Sequence, residues 1–267
     1  MTDPAATVQI AEGFSLTNRW LLYASAMLAP AQFITGLDSD FPSNLGFLAY
    51  NWYTQIKWYQ MVSGKSEEIH AVSLVLPHFN LLYALSYLGG ISSGNLYMGL
   101  LLSLGTAGVT ILNTAASWKA WAVHQPRGYG AYRFFFFGWR TLTKDWHRWL
   151  FLPWQITDTI TALSLFISAM CLACLVQEEC KKIVNIFKGW RCKFLVIPAS
   201  AVLAFIWGWP LVLWTELIIS RNHLESKTDM IAVWLFIAQV AAMLMPSFGF
   251  RLSGLKHVLG RRRSSPV

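Results

Sequence analysis

The chain has 267 residues, of which 55% are hydrophobic and only 13% are charged, and its net charge is +8. Soluble domains carry roughly 25% charged residues, so this composition disfavours a soluble globular protein. A mean hydropathy of +0.43 is typical of a protein that crosses a membrane several times. No basic patch has the interleaved aromatic residues of a nucleic-acid reader, so we interpret the positive charge as contacts with anionic membrane lipids.

Apolar runs of about 20 residues, each the length of a bilayer core, recur along most of the chain. We expect a short polar segment over 1–17, a single transmembrane helical domain over 18–250 and a basic tail over 251–267. The predicted fold is all-α, a polytopic transmembrane helix bundle of seven spans. The predicted spans are approximately 18–37, 43–62, 70–90, 95–117, 150–176, 194–219 and 229–250.

The second interval, 43–62, is the least regular of the seven. Its aromatic residues are dense, but Asn51, Gln55, Lys57 and Gln60 interrupt it. These polar residues do not follow one helical face, which favours a span with inward polar groups over a helix lying on the membrane surface. In the alternative, the bundle has six spans plus an interfacial helix.

The third and fourth intervals carry signals of their own. Pro77 is expected to break the helix of the third interval. The fourth interval is rich in small residues, which let transmembrane helices approach closely. These residues are Gly99, Ser103, Gly105, Ala107 and Gly108.

The longest connection, 118–148, contains four consecutive phenylalanines between Arg133 and Arg140. This run is too short to cross a bilayer. We predict that it lies in the headgroup region, with its aromatic rings turned inward and its cations outward.

Basic residues also indicate the orientation of the chain in an endoplasmic reticulum or plasma membrane. The positive-inside rule puts the tail and the basic loop 177–193 in the cytosol. The basic connection 118–148 would then lie on the other side, which disagrees with the rule.

Two acids, Asp158 and Glu216, each lie within a long apolar run. Ionisable groups at membrane depth are costly and usually face the interior of the bundle. Because neighbouring spans are antiparallel, both acids are expected toward the same membrane face. Counting along the spans puts Asn113 and Lys57 toward that face as well.

Three further polar residues complete the candidate site. Gln155 and Thr161 flank Asp158 at i−3 and i+3, so they share its helical face, and His78 lies in the middle of the third interval. We hypothesise a membrane-embedded enzyme with Asp158 and Glu216 as acid and base, acting on a lipid, sterol or isoprenoid-like substrate. The predicted substrate-binding residues are Asn113, Lys57, Gln155, Thr161 and His78.

A structural network is the simpler interpretation of the same residues. Glu216 would then pair with Arg221 or Lys57, and Asp158 would hydrogen-bond across helices. The protein would be a transporter, channel, receptor or assembly factor. The sequence has no Walker, Rossmann, nucleophile-elbow or kinase signature and no paired metal-ligand spacing, so we predict neither cofactor nor metal. The predicted partners are membrane lipids and a lipophilic small molecule.

Overall fold

The computed structural model describes residues 8–10, 12–37, 44–64, 69–93, 96–175 and 190–244. This part of the chain is mostly helical, and each of the predicted intervals contains a helix. The helices are α1 (Leu16–Leu37), α2 (Leu45–Ser63), α3 (Ile69–Val72), α4 (Leu76–Tyr87), α5 (Leu96–Lys119), α6 (Lys144–Trp146), α7 (Leu152–Leu175), α8 (Trp190–Arg221) and α9 (Met230–Leu244). Short π-helical turns, Ala120–His124 and His147–Phe151, follow α5 and precede α7.

Two helical stretches of the described residues are long and apolar enough to cross a membrane, namely Tyr97–Gly128 and Lys144–Ser168. The predicted count of seven spans is therefore not supported, and neither is the alternative of six. The reason lies in length and composition. Helix α4 has 12 residues, fewer than the ~20 needed, and residues 245–250 of the last predicted interval lie outside the described residues. In α2, four amide and cationic side chains dilute the apolar run.

The predicted break at Pro77 is present. Helix α3 ends at Val72 and α4 begins at Leu76, so the proline occupies the first turn of α4. A proline there removes no intrahelical hydrogen bond, whereas in the middle of one continuous helix its ring would clash with the preceding turn.

Two of the four amide and cationic residues of α2 turn inward. Asn51 and Gln55 are buried, on the same side of the helix as Trp58 and Val62. These residues recur at i, i+4, i+7 and i+11, which places them along one face. Gln60, by contrast, is exposed.

Glycines of α5 allow α2 to pack closely against it. A Cβ atom at Gly105 would lie 2.6 Å from a methyl carbon of Leu48, and one at Gly108 would lie 2.6 Å from the indole ring of Trp52. The predicted packing role of small residues is confirmed for these two positions. Gly99 has open space around it and does not contribute to this contact.

Helices α1, α4, α7 and α9 begin, and α2, α5 and α8 end, on one side of the bundle, called here the capped face. Two small sheets lie at this end of the bundle, and the second of them packs alongside α8. Strand β1 (Val8–Ile10) pairs in parallel with β4 (Leu224–Ser226), and β2 (Arg133–Phe135) pairs antiparallel with β3 (Trp139–Thr141). The all-α prediction missed these strands. In β2 a buried Phe134 lies between two exposed residues, an alternation that is typical of a strand.

The outer surface of the helices is apolar. On α7, large apolar side chains that are about half exposed follow one stripe, formed by Ile156, Ile160, Leu163 and Ile167. Their spacing of four, three and four residues keeps them on one helical face. Many amide and hydroxyl side chains are buried instead, among them Gln32, Asn44 and Gln239. The helices thus bury polar groups within a hydrophobic core, which includes Tyr23, Leu74 and Phe79, and carry large apolar side chains on their outer surface as well.

Candidate functional site

A polar pocket lies between α4, α5 and α7. Its empty volume is about 280 Å³ when the open space at its mouth is counted, but only about 10 Å³ admits the centre of a water-sized molecule. Helix α7 packs against both of the other helices, which holds the three walls together. The pocket is lined by Asn80, Ala84, Asn113, Thr114, Ser117, Gln155, Asp158, Thr159, Thr161 and Ala162.

Helical spacing explains how α7 presents several of these side chains at once. Gln155, Asp158, Thr159 and Ala162 lie at i, i+3, i+4 and i+7, so they share one face of the helix. The apolar stripe of α7 lies on a different face and is exposed. One helix therefore carries both the polar wall of the pocket and an apolar outer surface.

Hydrogen bonds between side chains join α5 to α7 beside the pocket. The hydroxyl of Ser117 donates to Oε1 of Gln155. The indole Nε1 of Trp118 donates to Oγ1 of Thr159 over 2.9 Å. Thr159 in turn donates to the backbone oxygen of Gln155 over 2.8 Å. These bonds fix the register of α5 against α7 and therefore the position of the Asp158 side chain.

Several buried polar atoms of the pocket have no hydrogen-bond partner among the described residues. They include Oδ2 of Asp158, Oδ1 of Asn113 and Nε2 of Gln155. Asn113 and Gln155 are almost fully buried, and the side chain of Asn80 lies beside the Asp158 carboxyl. A buried polar atom without a partner costs about 1–3 kcal/mol. The pocket therefore offers a carboxyl, an acceptor and a donor to a polar group that enters it.

Glu216 lies in a different network, at the end of α8. Its carboxylate accepts hydrogen bonds from Nε and Nη2 of Arg19, at 2.8 and 2.9 Å, and from the hydroxyl of Tyr23 at 2.6 Å. The remaining guanidinium nitrogen of Arg19 donates to the backbone oxygen of Phe14 at 2.7 Å. The predicted pairing of Glu216 with Arg221 or Lys57 is therefore wrong. Arg19 is the partner because α1 packs along α8.

Lys57 lies in a third network, at the start of α9. Its ammonium is 2.6 Å from Oδ2 of Asp229 and 3.5 Å from Oε2 of Glu12. The hydroxyl of Tyr53 donates to the same aspartate. Oδ1 of Asp229 accepts from the backbone N–H of Ala232, which makes it the cap of α9.

The environment of Asp229, which precedes the first turn of α9, has opposing effects on its charge. Burial raises the pKa of this carboxyl, but the bonds from Lys57, the backbone of α9 and Tyr53 lower it by more. The net result is a pKa below the usual range. Asp229 is therefore held as an anion, with Lys57 as its counter-ion.

The structure thus separates the predicted site residues, because some line the pocket and others belong to the networks of Glu216 and Lys57. Asn113, Gln155, Asp158 and Thr161 meet in the pocket. Glu216 and Lys57 are not among the residues that line it, and the two acids belong to separate networks. The side chain of His78 lies outside the described residues.

Other residues of these networks were not predicted from the sequence. Asn80 lines the pocket and could have been found as the polar neighbour of His78. Arg19 is the only basic residue before Lys57, which is an unusual position for a cation in an apolar helix. Asp229 directly precedes an apolar run, which is the sequence signal of a helix cap.

Comparisons with known proteins found none that is similar to this chain. No protein-family model matches the chain, and no curated protein or solved structure is significantly similar to it. Among the described residues, no three histidine, cysteine, aspartate or glutamate side chains are grouped so that they could hold a metal ion.

Proposed function

We propose that this chain is a multi-pass integral membrane enzyme that carries out acid–base chemistry on a lipophilic substrate, whose polar end enters the pocket and exchanges a proton with Asp158. The membrane would be that of the endoplasmic reticulum or the plasma membrane. The observation that carries the proposal is the Asp158 carboxyl, which lies among unpartnered amides between helices with apolar outer surfaces.

The distribution of polarity supports a membrane location. Apolar stripes on α5, α7, α8 and α9 expose large side chains, including Ile111 at 69% and Leu203 at 61%. Soluble monomers rarely expose contiguous apolar patches of more than a few hundred Å². In a bilayer the same surfaces contact acyl chains, and inward polar groups find partners within the bundle. Two helices of sufficient length and apolarity agree with this location.

The size and lining of the pocket favour a small polar group as its occupant. Only about 10 Å³ of the pocket admits the centre of a water-sized molecule, which is room for about one small polar group, such as the hydroxyl at one end of a larger molecule. Asn113 can accept and Gln155 can donate a hydrogen bond, which would orient an alcohol, an amine or a carbonyl against Asp158. The apolar remainder of such a molecule would lie in the surrounding lipid.

The contacts of Glu216 favour a mechanism with one acid instead of two. Its two oxygens accept three hydrogen bonds from Arg19 and Tyr23, so the carboxylate is already neutralised. Asp158 forms no salt bridge with a described cation. We therefore assign proton exchange to Asp158. The role of Glu216 is to hold α8 in position against α1.

The test compares the lipids of cells that express the chain with those of cells that express variants. Asp158→Asn should abolish any change in the lipid profile measured by mass spectrometry, while the protein still accumulates in membranes. Asp145→Asn is the matched control, because Asp145 is an exposed aspartate outside the pocket. Turnover that persists in Asp158→Asn would contradict the assignment.

A second candidate function is transport of a proton or a small cation. It is favoured by buried polar groups that continue beyond the pocket. Asn80, Ala84 and Tyr87 share one face of α4, and Tyr87 lies next to the buried Gln55 of α2. In this case Asp158→Asn would change the flux of an ion across proteoliposomes without covalent change in any lipid.

A further inference from the structure

We infer that the hairpin formed by residues 133–141 is a binding site for an anionic phospholipid, whose headgroup phosphate is held by Arg133 and Arg221 while Phe137 enters the acyl region. This inference rests on the proposed membrane location. It adds a lipid class and a specific set of residues to it.

The hairpin runs from the end of α8 back along that helix. Its first residue is fixed by Asn222, whose side chain accepts from the backbone N–H of Arg133 at 2.8 Å and donates to its backbone oxygen at 2.7 Å. Farther along the strand, Nε1 of Trp214 donates to the backbone oxygen of Phe135 at 2.7 Å. Trp214 precedes Asn222 by about two helical turns. The tip of the hairpin therefore points from the capped face toward the middle of the bundle.

Phe137 occupies this tip. Its side chain is 90% exposed, and its φ of 47° lies in the left-handed region that a bulky residue rarely adopts. A glycine would take this conformation more easily. The turn nevertheless presents a full aromatic ring to the surroundings. In the proposed membrane, the depth of this tip corresponds to the boundary between headgroups and acyl chains, where aromatic residues are enriched in membrane proteins.

Cations lie on one face of the hairpin at the level of the capped face. Arg133 shares this face with Phe135 and Trp139, because alternate residues of a strand point the same way and paired residues point together. The guanidinium of Arg221 lies 5.5 Å from the ring centroid of Trp139. Neither arginine forms a salt bridge with a carboxylate in the part of the chain that the structure describes.

These positions match a phospholipid in charge and in depth. A guanidinium group is planar and can donate two parallel hydrogen bonds to a pair of phosphate oxygens. A cation–π contact with Trp139 holds the guanidinium of Arg221 in position. An aromatic tip below the two cations suits the acyl chains below a phosphate. A peptide or a nucleic acid would match the cations but leave Phe137 without an apolar partner.

The test uses the full chain, purified in neutral detergent, with phosphatidylglycerol and phosphatidylcholine as the two probes. Native mass spectrometry measures the dissociation constant of each. Arg133→Gln and Arg221→Gln should each weaken phosphatidylglycerol binding about fivefold. Arg133→Lys keeps the charge but cannot donate two parallel hydrogen bonds. Its dissociation constant for phosphatidylglycerol should therefore lie between those of the wild type and Arg133→Gln. Phe137→Ser should weaken the binding of both lipids.

Arg140→Gln is the matched control. Arg140 pairs with Phe134 across the strands, so it lies on the opposite face, 5.9 Å from the ring of Trp146. Removal of its charge should change binding less than twofold. Equal losses for Arg140→Gln and Arg133→Gln would overturn the inference, since binding would then follow net charge alone. Unchanged binding in Arg133→Gln and Arg221→Gln would also overturn it.

A separate measurement distinguishes failure of this inference from failure of the proposed location. Extraction of membranes with alkaline carbonate should leave the wild type and all of these variants in the pellet. Release of the wild type would refute the membrane location itself. Retention combined with unchanged lipid binding in the arginine variants would refute only the role of the hairpin.

Discussion

Replacing Glu216 with glutamine removes the charge that joins the end of α8 to Arg19 on α1. Loss of one partner from a fully buried ion pair costs about 3–5 kcal/mol. The Arg19 side chain is 9% exposed and that of Glu216 is 32% exposed, so solvent screens part of the interaction. We therefore expect Glu216→Gln to lower the free energy of unfolding by about 2 kcal/mol. At about 2–4 °C per kcal/mol, Tm should fall by about 4–8 °C.

The assay is thermal unfolding of the detergent-solubilised chain, with exposed Asp145→Asn as the control that should leave Tm unchanged. A double-mutant cycle with Arg19→Gln isolates the pair. The double variant should be little less stable than either single variant, because each removes the same interaction. Additive losses, or a Tm unaffected by Glu216→Gln, would refute the ion pair. Below its unfolding temperature Glu216→Gln should retain any turnover, which would separate its role from that of Asp158.

Further predictions concern packing, pH and the pocket. Gly89→Ala should lower Tm, since its Cβ would lie 2.9 Å from the backbone of α1, whereas Gly99→Ala meets nothing within 4 Å and should be neutral or stabilising. The lowered pKa of Asp229 means that its contribution to stability is full above the unfolded-state value of about 3.9 and is lost as the pH falls through the folded-state pKa. Unfolding measured against pH should therefore show less acid sensitivity in Asp229→Asn than in wild type. Asn113→Leu removes an unpartnered buried acceptor and should raise Tm by stabilising the fold about 1–3 kcal/mol, while it abolishes turnover or flux.

The sequence predicted the helices well because apolar runs and prolines act locally. Each predicted interval contains a helix, and Pro77 divides the third as expected. The number of spans could not be predicted in the same way. Residues such as Asn51 and Gln55 are buried by neighbouring helices, so a count of apolar runs does not say which helices meet lipid. The hairpin was missed because a run of phenylalanines favours a strand only where one of the rings can be buried. Phe134 is buried in the core, and this contact has no signal in the sequence.

Part of the candidate site was predicted correctly, because helical spacing is a local property of the sequence. Gln155, Asp158 and Thr161 share a pocket because helical spacing alone puts them together. Asn113 joins them because α5 and α7 are antiparallel neighbours. Glu216 does not join them. Its partner is Arg19 of α1, which packs on α8 but is far from it in the sequence. Such a contact leaves no periodic signal.

Labelling with dicyclohexylcarbodiimide tests the central claim most directly. This lipid-soluble reagent modifies carboxylic acids that are reached from the bilayer. We predict that, after treatment of membranes, mass spectrometry finds the adduct on Asp158, and that Asn113→Leu reduces it by filling the pocket. Glu216, bound by Arg19 and Tyr23, should remain unmodified. An unlabelled Asp158, or an adduct on Glu216 in its place, would contradict a lipid-accessible pocket built around Asp158.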